Sequence, residues 1–276
     1  MSTPLTPGAA KKSLGQHFLF DPAILTRVAN AGGSVEGKTV IEVGPGPGGL
    51  TRALLDSGVA KLIAIELDGR FAEGLSLWPE ARTTQQHEAR LHVHHGDAMR
   101  ANIAELIAKA GGQSPAMIVA NLPYNVGTPM LVEWLKAGSW RGTMVLMFQK
   151  EVALRICAAP DDEHYGRLAV LCQAVTRPRL AITLPPGAFR PPPKIDSAVV
   201  VLEPLPEGER FDDLSSLEKI TASAFGQRRK MLRAALKSLP GAVEALQASG
   251  IDPTRRAETL TQAEFRALTK AWRDRG

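Results

Sequence analysis

The sequence predicts a doubly wound α/β sheet followed by a small C-terminal helical domain. Three observations carry that expectation. Short apolar runs alternate with amphipathic stretches through about the first 200 residues, one of those runs leads straight into a glycine-rich turn, and strand patterns vanish after Leu214. Alternation of this kind calls for parallel strands joined by crossover helices.

The strand candidates are Thr39–Val43, Leu62–Glu66, Leu91–His95, Met117–Ala120 and Met144–Phe148. Helical stretches such as Gly49–Ser57, Ile103–Ala110 and Pro129–Lys136 lie between them. Two later strands are expected at Leu180–Thr183 and Ala198–Leu202. The prolines between those two, at 185–186 and 191–193, rule out regular helix and central strand, because proline lacks an N–H and has a fixed φ. They read as a stiff loop near the sheet edge. Pro204, Pro206 and Gly208 mark a second break, which sets the expected domains at residues 1–204 and 205–276.

Bulk properties narrow the class. A chain of 276 residues with 44% hydrophobic and 22% charged residues can bury its own core. A net charge of +5 suits a polyanionic partner without requiring one. No stretch approaches about 20 apolar residues, so no membrane span is expected, and the N-terminus has no apolar run suited to a signal peptide. Cys157 and Cys172 form no CxxC pair and read as reduced thiols, which makes the cytoplasm the expected compartment. His92, His94 and His95 invite a metal reading. Strand alternation separates His95 from the other two, no cysteine lies nearby, and no metal is expected.

The chemistry begins at Val40–Ile41–Glu42–Val43, which enters Gly44–Pro45–Gly46–Pro47–Gly48–Gly49 and then a helix. Glycines let the backbone approach a ligand, and the helix N-terminus favours an anionic group. Glu66 ends the next strand, 20 residues after Gly46, where a carboxylate can accept from ribose hydroxyls. This much fits NAD and S-adenosylmethionine about equally. Gly96–Asp97–Ala98 after the third strand separates them, because in the methyltransferase arrangement an acid there binds the adenine amine of the cofactor.

Asn121–Leu122–Pro123–Tyr124 follows the fourth strand candidate, so it should face the same crevice. The lone pair of an adenine N6 amine is delocalised into the ring and attacks poorly. Two acceptors on its two N–H bonds would draw the nitrogen towards tetrahedral geometry. The Asn121 side-chain oxygen supplies one acceptor without added charge, and the Pro123 carbonyl is the expected second. Tyr124 offers a ring face for the base, worth about 1–3 kcal/mol. The transfer is then governed by positioning and needs neither a metal nor a strong base.

With these residues the sequence resembles the ribosomal RNA adenine N6,N6-dimethyltransferases, and among them the bacterial family acting on 16S rRNA. The resemblance covers almost the whole chain. It runs through Lys11–Lys12–Ser13–Leu14–Gly15–Gln16–His17–Phe18–Leu19, Glu42–Val43–Gly44–Pro45–Gly46, Ile65–Glu66–Leu67–Asp68, Gly96–Asp97–Ala98 and Asn121–Leu122–Pro123–Tyr124–Asn125. It continues through Gln149–Lys150–Glu151–Val152, Tyr165–Gly166–Arg167–Leu168, Phe189–Arg190–Pro191–Pro192–Pro193–Lys194–Ile195–Asp196–Ser197 and Phe225–Gly226–Gln227–Arg228–Arg229–Lys230. It implies a Rossmann-like methyltransferase domain with an RNA-contacting helical domain, acting as a monomer on 16S rRNA in the immature small subunit. The implied reaction uses S-adenosylmethionine to dimethylate two adjacent adenosines in a loop near the 3′ end of that RNA.

The resemblance also assigns roles. His17 and Leu19 would line the cofactor site, Gly44 would contact the methionine portion, with Gly46 beside it, Glu66 the ribose, and Asp97 with Ala98 the adenine. Asn121 would orient the target amine and border the cofactor, and Phe189 would be a second aromatic beside a flipped base. Position 17 is often asparagine in this family and is histidine here.

Arg228, Arg229, Lys230, Arg233 and Lys237 fall in a window without an acid, 227–237. Helical periodicity puts Arg229, Arg233 and Lys237 on one edge and Leu232, Ala235, Leu236 and Leu239 on an apolar stripe. Five phosphate contacts would give a log–log salt slope of roughly −3.5 on single strands. Lys11, Lys12 and Arg27 could extend the patch. The alternatives in view are a 23S rRNA adenine N6-methyltransferase and a non-catalytic RNA-binding assembly factor for the 30S subunit.

Overall fold

In the computed structural model residues 17–85, 87–227 and 229–275 are described. The strands are β1 (Phe18–Leu19), β2 (Thr39–Val43), β3 (Lys61–Glu66), β4 (Leu91–His95), β5 (Ala116–Asn121), β6 (Arg141–Gln149), β7 (Thr176–Leu184), β8 (Phe189–Arg190) and β9 (Ser197–Pro204). Seven of them form one sheet in the order β4-β3-β2-β5-β6-β9-β7, and β1 pairs with β8 in a separate two-stranded ribbon. β2 is parallel to β3 and β5, β3 to β4, and β5 to β6, while β9 runs antiparallel to β6.

The sequence dictates much of this. Thr-Val-Ile-Glu-Val is buried at all five positions of β2, as a central parallel strand covered on both faces should be. The chain passes from β2 to β3 on one side and later returns to β5 on the other. That reversal opens a crevice at the carboxyl ends of the strands. Val43, Glu66, His95 and Asn121, the last residues of β2 to β5, therefore stand along one edge. β7 is the sheet edge, which is why it tolerates Pro178.

The chain divides into two compact units. One runs through Ala153 and takes in Arg179–Glu203; the other comprises Leu154–Pro178 and the chain from Pro204 onward. A single cut at 204/205 therefore differs from the observed division, because residues 154–178 pack with the helical part. The Tyr165 ring meets Phe225 edge-on, with centroids 6.0 Å apart, and its hydroxyl donates to the Leu260 carbonyl at 3.0 Å. Arg167 pairs with Glu218, and Arg266 donates to the Ala174 carbonyl at 2.9 Å. The helix Gln262–Arg273 starts at a reciprocal capping box between Thr261 and Glu264. Cys157 and Cys172 are free thiols that burial pushes up, the former to about 11.

The cationic window is not one helix. The helix Leu214–Gly226 ends, Gln227 leaves helical geometry at φ −131° and ψ 69°, and a short helix resumes only at Leu232–Ala235. The Leu232 and Arg233 N–H groups donate to the Arg255 and Pro253 carbonyls, so tertiary bonds set this break. Leu232, Ala235 and Leu236 are buried as expected, and Arg229, Lys230, Arg233 and Lys237 are exposed. Arg228, Lys11 and Lys12 lie outside the described residues. Among the described residues no helix is long and apolar enough to cross a membrane.

Candidate active site

A pocket of about 930 Å³, measured out to its mouth, opens at the carboxyl ends of β2, β3 and β5. Gly44, Gly46, Glu66, Asp97, Ala98, Asn121, Pro123, Tyr124 and His17 all border it, so residues scattered over more than 100 positions share one cavity. Phe189 does not line it, and Leu19 borders a smaller adjoining cavity that Gly44 and Asn121 also line. Leu19 and Phe189 face each other across the β1–β8 ribbon and are both buried in the hydrophobic core, Phe189 to 2% exposure. Phe18 takes the place on the wall expected of Leu19. Strand alternation accounts for the exchange, since neighbours in a strand point to opposite faces. A base-stacking ring would have to be open to the pocket, and Phe189 is not.

The glycine turn is shaped for close approach. Gly44 has φ +70°, and a Cβ there would meet nothing within 4 Å, so its backbone faces open space. Gly46 has φ +54°, and a Cβ there would lie 2.5 Å from the Phe18 ring. That ring is fixed in turn edge-on against Phe71, centroids 5.7 Å apart. Gly46→Ala is expected to lose about 2–3 kcal/mol of stability in urea melts, from the left-handed backbone and the displaced Phe18 together.

Glu66 is buried, and its two oxygens accept from the Gly46 N–H at 2.9 Å and the Asp68 N–H at 2.8 Å. Burial pushes its carboxyl up, and the Asp68, Gly46 and Leu67 N–H groups oppose the shift. A carboxylate offers about four acceptor sites, so it can take a further donor. Asp97 accepts from the Met99 N–H at 2.9 Å through one oxygen, and the other stands 3.7 Å from Arg100. Leu67, at 56% exposure, and Ile65 add apolar wall between the two acids.

At the fourth strand end, the Asn121 Nδ2 donates to the His17 carbonyl at 2.8 Å. That bond fixes which way the amide faces and leaves Oδ1 as its free acceptor among the described residues. The Pro123 carbonyl, the expected second acceptor, is already taken by the Val126 and Gly127 N–H groups, both at 3.1 Å, where the next helix begins. The Leu122 carbonyl, one residue earlier, accepts no hydrogen bond among the described residues and borders the same pocket. The free pair of neutral acceptors is therefore Asn121 Oδ1 and the Leu122 carbonyl. A backbone acceptor leaves no mark in its own residue type, so sequence reasoning had no signal for it.

Tyr124 is half-buried, with its hydroxyl 2.5 Å from Ser197 Oγ. Ser197, the first residue of β9, stands in the Lys194–Ser197 motif but has no signal of its own as an anchor. The His17 ring stacks on Tyr124 with centroids 5.6 Å apart, and its Nδ1 donates to the Pro191 carbonyl at 2.8 Å. Away from this pocket, His92 Nε2 contacts the Ala89 carbonyl at 3.2 Å. Among the described residues no three His, Cys, Asp or Glu side chains gather as metal ligands would.

Known proteins agree with this architecture. Residues 8–274 match the family model for ribosomal RNA adenine dimethylase. The chain is 52% identical over 260 residues to a ribosomal RNA small subunit methyltransferase A from Sinorhizobium medicae, covering 93% of this chain and 90% of that protein. It is 49% identical over 262 residues to a protein of the same name from Gluconobacter oxydans, covering 95% and 82%. The crystal structure of a dimethyladenosine transferase from Plasmodium falciparum shares the fold, with a TM-score of 0.75 at 24% identity, covering 91% of this chain and 96% of that one. The match spans both units and the strand ends that build the pocket, and the chain belongs to the ribosomal RNA adenine dimethylase family.

Proposed function

We propose that this chain uses S-adenosylmethionine to dimethylate N6 of two adjacent adenosines near the 3′ end of 16S rRNA, acting as a monomer on immature small subunits in the cytoplasm. One observation carries the reading. The Asn121 amide is tethered through its nitrogen, which leaves Oδ1 and the Leu122 carbonyl as paired neutral acceptors beside a glycine turn and two acids.

The pocket suits the donor. Gly44 leaves backbone bare for the methionine end, Glu66 has acceptor capacity for ribose hydroxyls, and Asp97 accepts from an adenine amine between the Ile65 and Leu67 side chains. When bound, S-adenosylmethionine supplies an electrophilic methyl group on a sulfonium. In the first transfer Asn121 Oδ1 and the Leu122 carbonyl each accept one N–H of the target amine, which localises its lone pair for attack; in the second, the single remaining N–H has one of the two acceptors. Tyr124, anchored on Ser197, presents its ring to the extruded base. The methylated amine is acidic and loses its proton to water, so no strong base is required. Most of the acceleration comes from positioning, for which about 7–11 kcal/mol is available.

The test is incubation of immature small subunits with the chain and isotopically labelled donor, followed by mass spectrometry of the digested RNA. N6,N6-dimethyladenosine carrying the label is expected; label confined to 23S rRNA, or to another atom, overturns the reading. Phosphate anchoring falls to the exposed cations. Replacing Arg229, Lys230, Arg233 and Lys237 with glutamine should make the log–log salt dependence of RNA binding shallower by about 3. Titration by fluorescence anisotropy at several salt concentrations measures it.

A further inference from the structure

Phe20 and Arg190 take no part in the site described above. Phe20 is a large apolar side chain left 41% exposed. The Arg190 guanidinium lies over its ring, 4.3 Å from the centroid. Among the described residues Arg190 has no carboxylate partner and no side-chain hydrogen bond. Together the two border an open cleft, with Leu25 and Pro47 in its apolar part. Asp56 and Arg52 stand on another wall and pair with each other at 3.4 Å, Arg52 also reaching Glu80 at 2.8 Å. The unbalanced charge in the cleft is therefore that of Arg190.

This cleft adjoins the active pocket. Phe18 is a wall of both, and the Pro191 carbonyl next to Arg190 accepts from His17. A base taken out of its stack leaves its neighbours without a partner face, and single-stranded RNA recovers that stacking on aromatic rings and guanidinium planes. Among the described residues the exposed recognition surface is one ring and one cation without a carboxylate partner. That suits one planar base with its phosphate, whereas a stable protein partner needs a far wider area.

Building on the proposed reaction, we propose that Phe20 and Arg190 hold the nucleotide that flanks the target adenosine, and so set which adenosine enters the pocket. These are positioning residues, acting through the RNA strand.

The experiment uses the full chain and RNA oligonucleotides spanning the target loop, with 2-aminopurine placed at each flanking position in turn. Wild type should quench the fluorescence at one flanking position. Phe20→Leu and Arg190→Gln should each abolish that quench and raise the KM for RNA about 5- to 100-fold, with kcat at saturating RNA and donor affinity unchanged. Phe20→Trp should restore both. A normal quench and KM in Phe20→Leu and Arg190→Gln, beside an active wild type, would overturn this proposal alone. A folded wild type that binds donor yet methylates no adenosine would overturn the reaction as well.

Discussion

Asn121→Ala is expected to lower the single-turnover methylation rate about 10²–10³-fold, corresponding to about 2.7–4 kcal/mol of lost transition-state stabilisation. In the proposed mechanism the alanine variant removes one of two acceptors that act as the amine becomes tetrahedral. It also frees the His17 carbonyl, which the amide holds at 2.8 Å. The KM for RNA should change little, because the exposed cations lie elsewhere in the chain. Asn121→Asp is not a rescue. It keeps an oxygen acceptor but turns the other end of the group from a donor into an anion facing that carbonyl. Rapid-quench measurement with labelled donor reads the rate directly, and an alanine variant within tenfold of wild type would remove Asn121 from the chemistry.

The second large effect concerns stability. Glu42 in β2 is fully buried; one oxygen accepts from the Thr51 hydroxyl at 2.7 Å, and among the described residues Oε1 has no hydrogen-bond partner. Burial, first, and then the nearby Glu66 carboxylate raise its pKa from 4.5 to about 8, against the Thr51 hydrogen bond, which lowers it. A carboxyl that holds its proton longer when folded contributes stability fully below pH 4.5. That contribution falls as pH rises and is gone once pH passes about 8. At about 1.4 kcal/mol per pH unit, the loss over that window comes to about 5 kcal/mol. Glu42→Gln stays neutral and can still accept from Thr51. It should match wild type near pH 5 and exceed it by several kcal/mol at pH 9 in urea denaturation. Parallel pH profiles for the two proteins would show that Glu42 is ionised when folded or relieved by groups that keep it solvated.

The sheet was legible because a buried central strand such as β2 is written as a near-continuous apolar run, and β2 and the edge strand β4 fall at the expected bounds. The glycine turn, both acids and Asn121 were legible for the same reason, since topology puts the ends of such strands at one crevice. The β1–β8 ribbon was not, because two-residue strands paired across most of the chain carry no local periodicity. That gap misplaced Phe189, whose side is decided by the ribbon's register. The cationic window failed differently. Its apolar spacing is helical, yet the break at Gln227 is set by carbonyls of Pro253 and Arg255, which no window of local sequence contains. At Pro123 the error was one of backbone accounting, because the start of the following helix decides which carbonyl stays free.

The His17 imidazole and the Pro191 carbonyl that accepts its hydrogen bond are 174 residues apart. At about 5–20 residues per second of translation, the N-terminal wall of the cavity waits some ten seconds or longer for its counterpart to be synthesised. A nascent polypeptide with β2 to β6 already folded would still lack this clamp.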